Sequence, residues 1–479
     1  MDTRNSNLEQ WVWIVGASIF CLFLSPTQHI LDEETYLWIA TNMSWSRPYD
    51  WSMPFPPFHD TGFVFAHPPL FLWWVKLCGD HWWTGLPWLV LWWWSVVQVF
   101  QRTQSNWRTG VVVMFGATSM LLPMTRTAMP DLMMSALAIA GLLMFHSTTS
   151  LPRTFLGGVL VGLAAWTKYP ALIVLCAPLF TKASMRQIAT FWFGTILVVG
   201  FGEMWLWSNY QQWHLLEVIE QSRLVGRSPL GSRVTGLPMR MGLSLLPFVL
   251  IRLFCYPVQS LIYLAIAMAI FQGIEGFWFG LGIGLILQVL KPTSHVFWRW
   301  TIVLVLLGIV VGHNYVAPRY WLLTVPMWWV IMHSEWTQLS MRQIQSIMAM
   351  SLLASGSVLY IERLHAQELE AMVTQALEDE TLTTFSGEWG MRELAQVKGL
   401  TQFQGEGTRL LVSHNSAGWI PSEEDGWVLE KQWKGASTPC RLVSQSESVG
   451  YYADSIGILP IACSWTFKPI EMVEIWKKP

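Results

Sequence analysis

Charge is what this chain has least of. Asp, Glu, Lys and Arg make up 13% of its 479 residues, about half of the roughly 25% found in soluble domains. With 53% hydrophobic residues, this excludes an ordinary soluble protein and points to a membrane protein. Basic tracts are missing as well. Twenty-nine Lys and Arg against 31 Asp and Glu leave a net charge of −2, and no stretch forms the basic stripe that a nucleic-acid partner needs. The N-terminal Met1 to Gln10 has neither a basic n-region nor a small-residue cleavage site after the apolar run that follows. The first span is therefore expected to be a retained helix.

Cysteine is sparse, with six in the chain. Cys21, Cys78, Cys176 and Cys255 lie in apolar surroundings and read as small core residues. Cys440 and Cys463 lie in the polar C-terminal part and can pair if that part faces an oxidising compartment. Tryptophan is the opposite extreme, at 32 residues. Runs such as Trp82-Trp83, Trp92-Trp93-Trp94 and Trp328-Trp329 fit helix ends and lipid-facing surfaces, where an indole ring has one apolar face and one wet edge.

Two regions follow from the pattern. From about Trp11 to Ile361 apolar runs alternate with short polar breaks, and about 13 spans are expected: 11–28, 84–100, 109–123, 132–146, 154–168, 170–181, 188–208, 241–255, 257–272, 277–290, 300–312, 320–333 and 346–361. From Glu362 to Pro479 the chain turns polar, opening with an amphipathic helix near Arg363 to Glu380 and continuing with short alternating segments. The fold class expected is an all-α polytopic membrane domain, residues 1–361, carrying a small α+β domain, residues 362–479. Arg102, Arg108, Arg153, Lys182, Arg186, Lys291, Arg299 and Arg342 mark one side as cytoplasmic by the positive-inside rule. The acidic loop 29–66 and the C-terminal tail fall on the other, extracytoplasmic side. The 67–79 stretch starts at Pro68-Pro69 and is too short to cross, so it reads as interfacial or re-entrant. Asp131 then emerges on the same face as Asp32.

Candidate chemistry gathers at that face. Asp32 and Glu33 end the first span. Being adjacent, they point about 100° apart on a helix, so only one faces a given pocket. Asp32 is the candidate general base, with Glu33 in support; the bland reading of the pair is an anchor for a span end in water. Asp131 follows Pro130 at the first turn of a helix, where a carboxylate also offsets the positive helix end. His67 precedes two prolines that fix the backbone. Lys168 and Tyr169 precede Pro170, and Arg319 and Tyr320 follow Pro318. One pattern recurs, a functional side chain beside proline at an external span end. The external stretch 209–240 breaks the charge rule with Arg223, Arg227, Arg233 and Arg240. Either these residues meet an anionic ligand such as a lipid phosphate, or they line an amphipathic helix resting on headgroups. His29, His59, Asp60 and His67 match no standard metal-ligand spacing. No cofactor is called for, and a divalent metal stays open.

The order of these motifs resembles the GT-C polyprenyl-phosphate-sugar glycosyltransferases, bacterial relatives of the protein O-mannosyltransferases and lipid A aminoarabinose transferases. Asp32-Glu33-Glu34-Thr35-Tyr36 is similar to their first-loop acidic motif, and His67-Pro68-Pro69-Leu70 to their His/Lys-Pro-Pro-Leu. Arg126 through Asp131 resembles Arg-x-x-x-Pro-Asp, and Thr167-Lys168-Tyr169-Pro170-Ala171 resembles Thr-Lys-Tyr-Pro-Ala. Pro318-Arg319-Tyr320 matches a late Pro-Arg-Tyr, and Gly387-Glu388-Trp389-Gly390 resembles a Gly-x-Trp-Gly element of the tail. The likeness covers about residues 10 to 335 and is thin beyond.

The resemblance implies inverting transfer of a sugar from a polyprenyl-phosphate donor to a lipid, glycan or protein acceptor. Asp32 would be the base and Asp131 a second acid ordering the site. His67, Lys168 and Arg319 would contact the lipid phosphate, with Tyr320 beside them and Arg223 and Arg227 as further candidates. Two departures count. His67 stands where the aminoarabinose enzymes have Lys, and the tail lacks beta-trefoil repeats, which disfavours a protein acceptor. The rival classes are a lipid or solute transporter or flippase, and a non-catalytic assembly subunit. A transporter calls for internal repeats and ionisable groups near the bilayer midplane; no clear repeat is found, and the charges are expected at span ends.

Overall fold

A computed structural model describes residues 3–24, 33–51, 67–79, 81, 83–102, 129–224, 228–271, 273–291, 295–313, 317–378, 382–387, 391–397, 399–403, 405, 407–415, 419–441, 443–444, 449–450 and 461–478. The span expected at 109–123 lies outside them. Helices dominate as far as Ala376, and strands follow.

Two described helices, Met185–Tyr210 and Met341–Ala376, are long and apolar enough to cross a membrane. Met185–Tyr210 shows why a bilayer suits it. Phe193, Ile196, Phe201 and Met204 lie exposed along one face, while Phe191, Gly194, Thr195, Gly202 and Leu206 are buried on the other. Such an exposed apolar stripe is stable only against lipid or another apolar surface. Its N-terminus is closed by a capping box of Ser184 and Gln187, which satisfies two otherwise orphaned backbone donors. Seven shorter apolar helices, among them Pro69–Cys78, Pro130–His146 and Leu151–Thr167, accompany these two.

Three expected spans differ in kind. The 241–255 run is broken: helices Leu230–Ser244 and Leu246–Cys255 meet at 82°, because Pro247 has no N–H to give and its ring crowds the carbonyl four residues back. The 170–181 run is a 3-10 helix, Tyr169–Phe180, with Pro178 inside it, a residue that has no N–H to donate to an α-helical ladder. The 320–333 run faces no lipid. The 3-10 turn Pro318–Leu323 and the helices Val325–Ile331 and His333–Trp336 are buried almost throughout. Trp92, Trp93, Trp328 and Trp329 belong to this interior, contrary to the lipid-facing expectation. The Trp92 indole donates to the Leu322 carbonyl at 3.3 Å, and Trp329 stacks on Trp336 with ring centroids 4.3 Å apart. Helix Leu86–Arg102 is thus zipped to the buried segment by its rings.

Helix Leu151–Thr167 packs between Pro130–His146 and Met185–Tyr210 through glycine. A Cβ on Gly158 would stand 2.0 Å from the Phe191 carbonyl oxygen, so the close approach of those two helices depends on having none. Gly282 does the same against Pro238, at 1.8 Å.

The tail is α+β. A five-stranded sheet has the order β2 (Thr401–Gln402), β1 (Thr384–Ser386), β3 (Arg409–Ser413), β9 (Met472–Lys477) and β4 (Val428–Lys434). β1 runs parallel to β2 and β3, and β9 runs antiparallel to β3 and β4. Cys440, on β5 (Ser437–Arg441), is disulfide-bonded, and its cross-strand partner in register is Cys463 on β8 (Ala462–Pro469). Met341–Ala376 is one unbroken helix through the boundary placed at residue 361. Its last turns supply Leu369, Met372, Val373 and Ala376 to the same core as Phe385, Leu411, Val473 and Ile475. His365 pairs with Glu471 at 2.8 Å, and Glu368 accepts the Ala436 N–H at 3.0 Å. The amphipathic helix expected near Arg363 to Glu380 is therefore the end of this long helix.

Two outcomes follow. Gly158→Ala should lower stability by roughly 1–3 kcal/mol, read as a fall in Tm in detergent. In the tail, His414 Nε2 lies 2.7 Å from Glu474 Oε2. Burial lowers the imidazole's proton affinity, but the Glu474 carboxylate outweighs it and holds His414 above its ordinary value. Burial raises Glu474, and His414, Gln432 and Trp476 outweigh that to hold it below. The pair's contribution is then lost as pH rises through the raised His414 value and as pH falls through the lowered Glu474 value. Hydrogen exchange of β3, β9 and β4 in the full chain should show greatest protection between those limits, and His414→Gln should flatten the profile.

Candidate functional site

Helix Leu151–Thr167 stops ahead of Pro170, which has no N–H to give to the Trp166 carbonyl and whose ring crowds it. Lys168 takes up an extended conformation, φ −159° and ψ 117°. Freed from the helix, its side chain reaches the first turn of Pro130–His146 and donates from Nζ to Asp131 Oδ1 at 2.8 Å. From the start of Pro318–Leu323, Arg319 brings Nε to 3.6 Å from the other oxygen, Asp131 Oδ2. All three side chains are buried, Asp131 at 1% and Lys168 and Arg319 at 4% exposure. Tyr320 closes the group: Lys168 Nζ is 5.2 Å and Arg319 Cζ 5.6 Å from its ring centroid, within cation–π range.

His67 belongs to the same cluster and acts electrostatically on Asp131. Its Nε2 is 2.8 Å from the Tyr36 hydroxyl, and the two rings stack with centroids 5.6 Å apart. Tyr36 lies on helix Glu33–Asn42, the helix that begins with the acidic motif. The side chain of Glu33 and the whole of Asp32 fall outside the described residues. Four motifs distant in sequence thus converge: 67, 131, 168 and 319–320.

The arginines of 209–240 divide. Arg227 and the side chain of Arg223 lie outside the described residues. Arg233 is buried and donates to the carbonyls of Ser228, Val310 and His313, which commits it to the end of helix Val296–Gly312 and away from a headgroup surface. Arg240 is buried within Leu230–Ser244. Among the described residues no group of three or more His, Cys, Asp or Glu side chains is placed to hold a metal ion; His29, His59 and Asp60 are outside them. Gly387 of the Gly-x-Trp-Gly element is described and residues 388–390 are not.

Sequence reasoning missed several polar groups. The His313 ring lies tilted against that of Tyr320, with centroids 4.2 Å apart. Glu203 sits two turns inside Met185–Tyr210 and is buried, so the rule that charges stay at span ends fails there. Its signal was in the chain: a lone carboxylate in the apolar run Phe201-Gly202-Glu203-Met204, which is costly in a bilayer without partners. Arg252 is a second buried charge, donating to Gln288 at 2.7 Å, while Gln288 in turn donates to Glu335.

Chemically, the Asp131 cluster sets two cations, Lys168 and Arg319, against one buried carboxylate. Guanidinium and ammonium donors suit an anion with several oxygens, such as a phosphate. Lys168 takes Asp131 Oδ1, and Arg319 faces Oδ2 at 3.6 Å. Asp131→Asn keeps the shape but removes the negative charge that Lys168 and Arg319 share, which should cost about 3–5 kcal/mol. Adding Lys168→Met should recover part of that loss in Tm. Strictly additive losses from the two substitutions would mean the pair does not interact.

No family model matches the chain, and no curated protein matches it. Two solved structures are similar in fold. One is the crystal structure of ArnT from Cupriavidus metallidurans bound to undecaprenyl phosphate, at 14% identity and a TM-score of 0.42 over 84% of this chain and 92% of that one. The other is the same protein in the apo state, at 14% identity and a TM-score of 0.40 over 85% and 93%.

Proposed function

We propose that this chain is an integral membrane glycosyltransferase that moves a sugar from a polyprenyl-phosphate donor to a lipid, glycan or protein acceptor on the extracytoplasmic face, with inversion. The observation that carries the reading is the buried Asp131–Lys168–Arg319 group, which sets two cations against one carboxylate. A lipid monophosphate is the leaving group of such a transfer, and it gains charge as its bond to the sugar breaks. Preset cations in a water-poor site stabilise that charge at little reorganisation cost.

The steps then follow from the residues. The donor phosphate lies on Lys168 and Arg319, with His67 beside them and Tyr320 shaping the floor. Asp32, one residue before the helix that carries Tyr36, takes the proton of the acceptor hydroxyl, and Glu33 supports it. The hydroxyl oxygen forms its bond to the anomeric carbon from the side opposite the phosphate, the carbon–phosphate oxygen bond breaks, and the configuration inverts. The Cys440 disulfide supports an oxidising, extracytoplasmic setting for the tail. The membrane lipids around Met185–Tyr210 are the route by which both hydrophobic substrates would arrive.

A transporter or flippase is the second reading, favoured by one observation: Glu203 and Arg252 are buried charges within apolar helices, as along transport paths. Purified protein in vesicles with a labelled polyprenyl-phosphate sugar separates the two. Release of free lipid phosphate is the transferase outcome, and counterflow of intact lipid without turnover is the transporter outcome. Asp32→Asn should insert and fold as the unaltered chain does while losing transfer about 10²–10⁴-fold. Full activity in that variant would remove Asp32 from the mechanism.

A further inference from the structure

Behind the cation cluster lies a second buried polar group to which no role has been given. Tyr169 is the next residue after Lys168. The extended backbone at Lys168 sends the two side chains to different places, Lys168 to Asp131 and Tyr169 to Glu203. The phenol has one proton, and it goes to Glu203 Oε1. The 2.8 Å contact to His214 Nδ1 is then one in which the ring nitrogen donates to the phenol oxygen, fixing the proton on Nδ1. Glu203 Oε2 accepts the Leu215 N–H at 3.2 Å, so both carboxylate oxygens are used. Tyr169 and Glu203 are 7% and 6% exposed, and His214 is fully buried.

This group also holds the loop that carries His67. The Tyr49 ring stacks on His214 with centroids 4.7 Å apart and planes 11° from parallel. The Tyr49 hydroxyl donates to the His67 carbonyl at 2.7 Å, and its N–H donates to the Tyr210 hydroxyl at 3.0 Å. The contacts form a chain: Asp131 to Lys168, along the backbone to Tyr169, and through His214 and Tyr49 to His67. Two of the phosphate-facing side chains therefore take their backbone positions from a group that itself lies apart from Asp131.

We infer that Tyr169, Glu203, His214 and Tyr49 are positioning residues that set the spacing of Lys168 and His67 about the donor phosphate. The inference rests on the donor reading above. Its physical basis is that fixed donors bind an anion better than mobile ones, and that small displacements of such groups cost binding out of proportion to stability. Glu203 is the anchor, because a buried carboxylate is tolerated only with its partners in place.

The test is binding of a polyprenyl monophosphate, with no sugar and no turnover, to the full chain in detergent, alongside Tm. Tyr169→Phe keeps the ring in place and removes only the hydroxyl. It is expected to weaken binding on the order of tenfold. Glu203→Gln, whose one amide oxygen can keep the bond from Tyr169 or the one from Leu215, should weaken it less than Glu203→Ala. Gly158→Ala, at the packed face of the same helix, gives the measure of a merely structural loss: its Tm falls and its affinity stays. Unchanged affinity in Tyr169→Phe, or an affinity loss in Gly158→Ala that matches it at equal Tm, overturns the inference and leaves the donor reading standing. Absence of lipid-phosphate binding by the unaltered chain overturns the donor reading, and the inference with it.

Discussion

A single buried carboxylate ties together three distant segments of the helical region. Asp131 is placed at the start of its helix by Pro130, and it draws in Lys168 from one helix end and Arg319 from a buried 3-10 turn. Remove the carboxylate, and the two cations lose the charge they share. Keep it, and three chain segments far apart in sequence are pinned to one point. On the reading proposed above, the cations that hold the fold together locally are also the ones that meet the anion.

Much of this was legible in the sequence, because proline and charge are local signals. Pro130, Pro170 and Pro318 mark where helices start or stop, and each has a charged side chain close by: Asp131, Lys168 and Arg319. Counting crossings put Asp131 on the face expected for Asp32. What could not be read was partnership at a distance. Nothing near Glu203 in sequence announces Tyr169 or His214, and a carboxylate inside an apolar run is easily passed over when the run is scored as a whole. Segment 318–336 was also misjudged, since a buried helix and a lipid-facing helix look equally apolar. The indole-rich runs shared that ambiguity, and Trp92, Trp93, Trp328 and Trp329 turned inward because neighbouring rings and the Leu322 carbonyl offered better company than lipid.

The bend at Pro247 and the 3-10 character of Tyr169–Phe180 show a second theme. Both depart from the regular spans that hydropathy suggests, and both are caused by proline acting on backbone hydrogen bonding. Irregular backbone at membrane depth persists only where protein covers it. Here the covering is supplied by helix Val296–Gly312 against Tyr169–Phe180, and by helix Gly273–Leu290 against Leu230–Ser244. Gly282 at the Pro238 carbonyl is part of that cover.

The unbroken helix Met341–Ala376 has a mechanical meaning. At 36 residues it is about 54 Å long, and its far end is part of the tail's own core. A shaft without a joint transmits tilt and rotation. The tail cannot nod or swivel on a hinge at residue 361; its heading is that of the helix beneath it, and a load applied to the strands arrives as torque along that shaft.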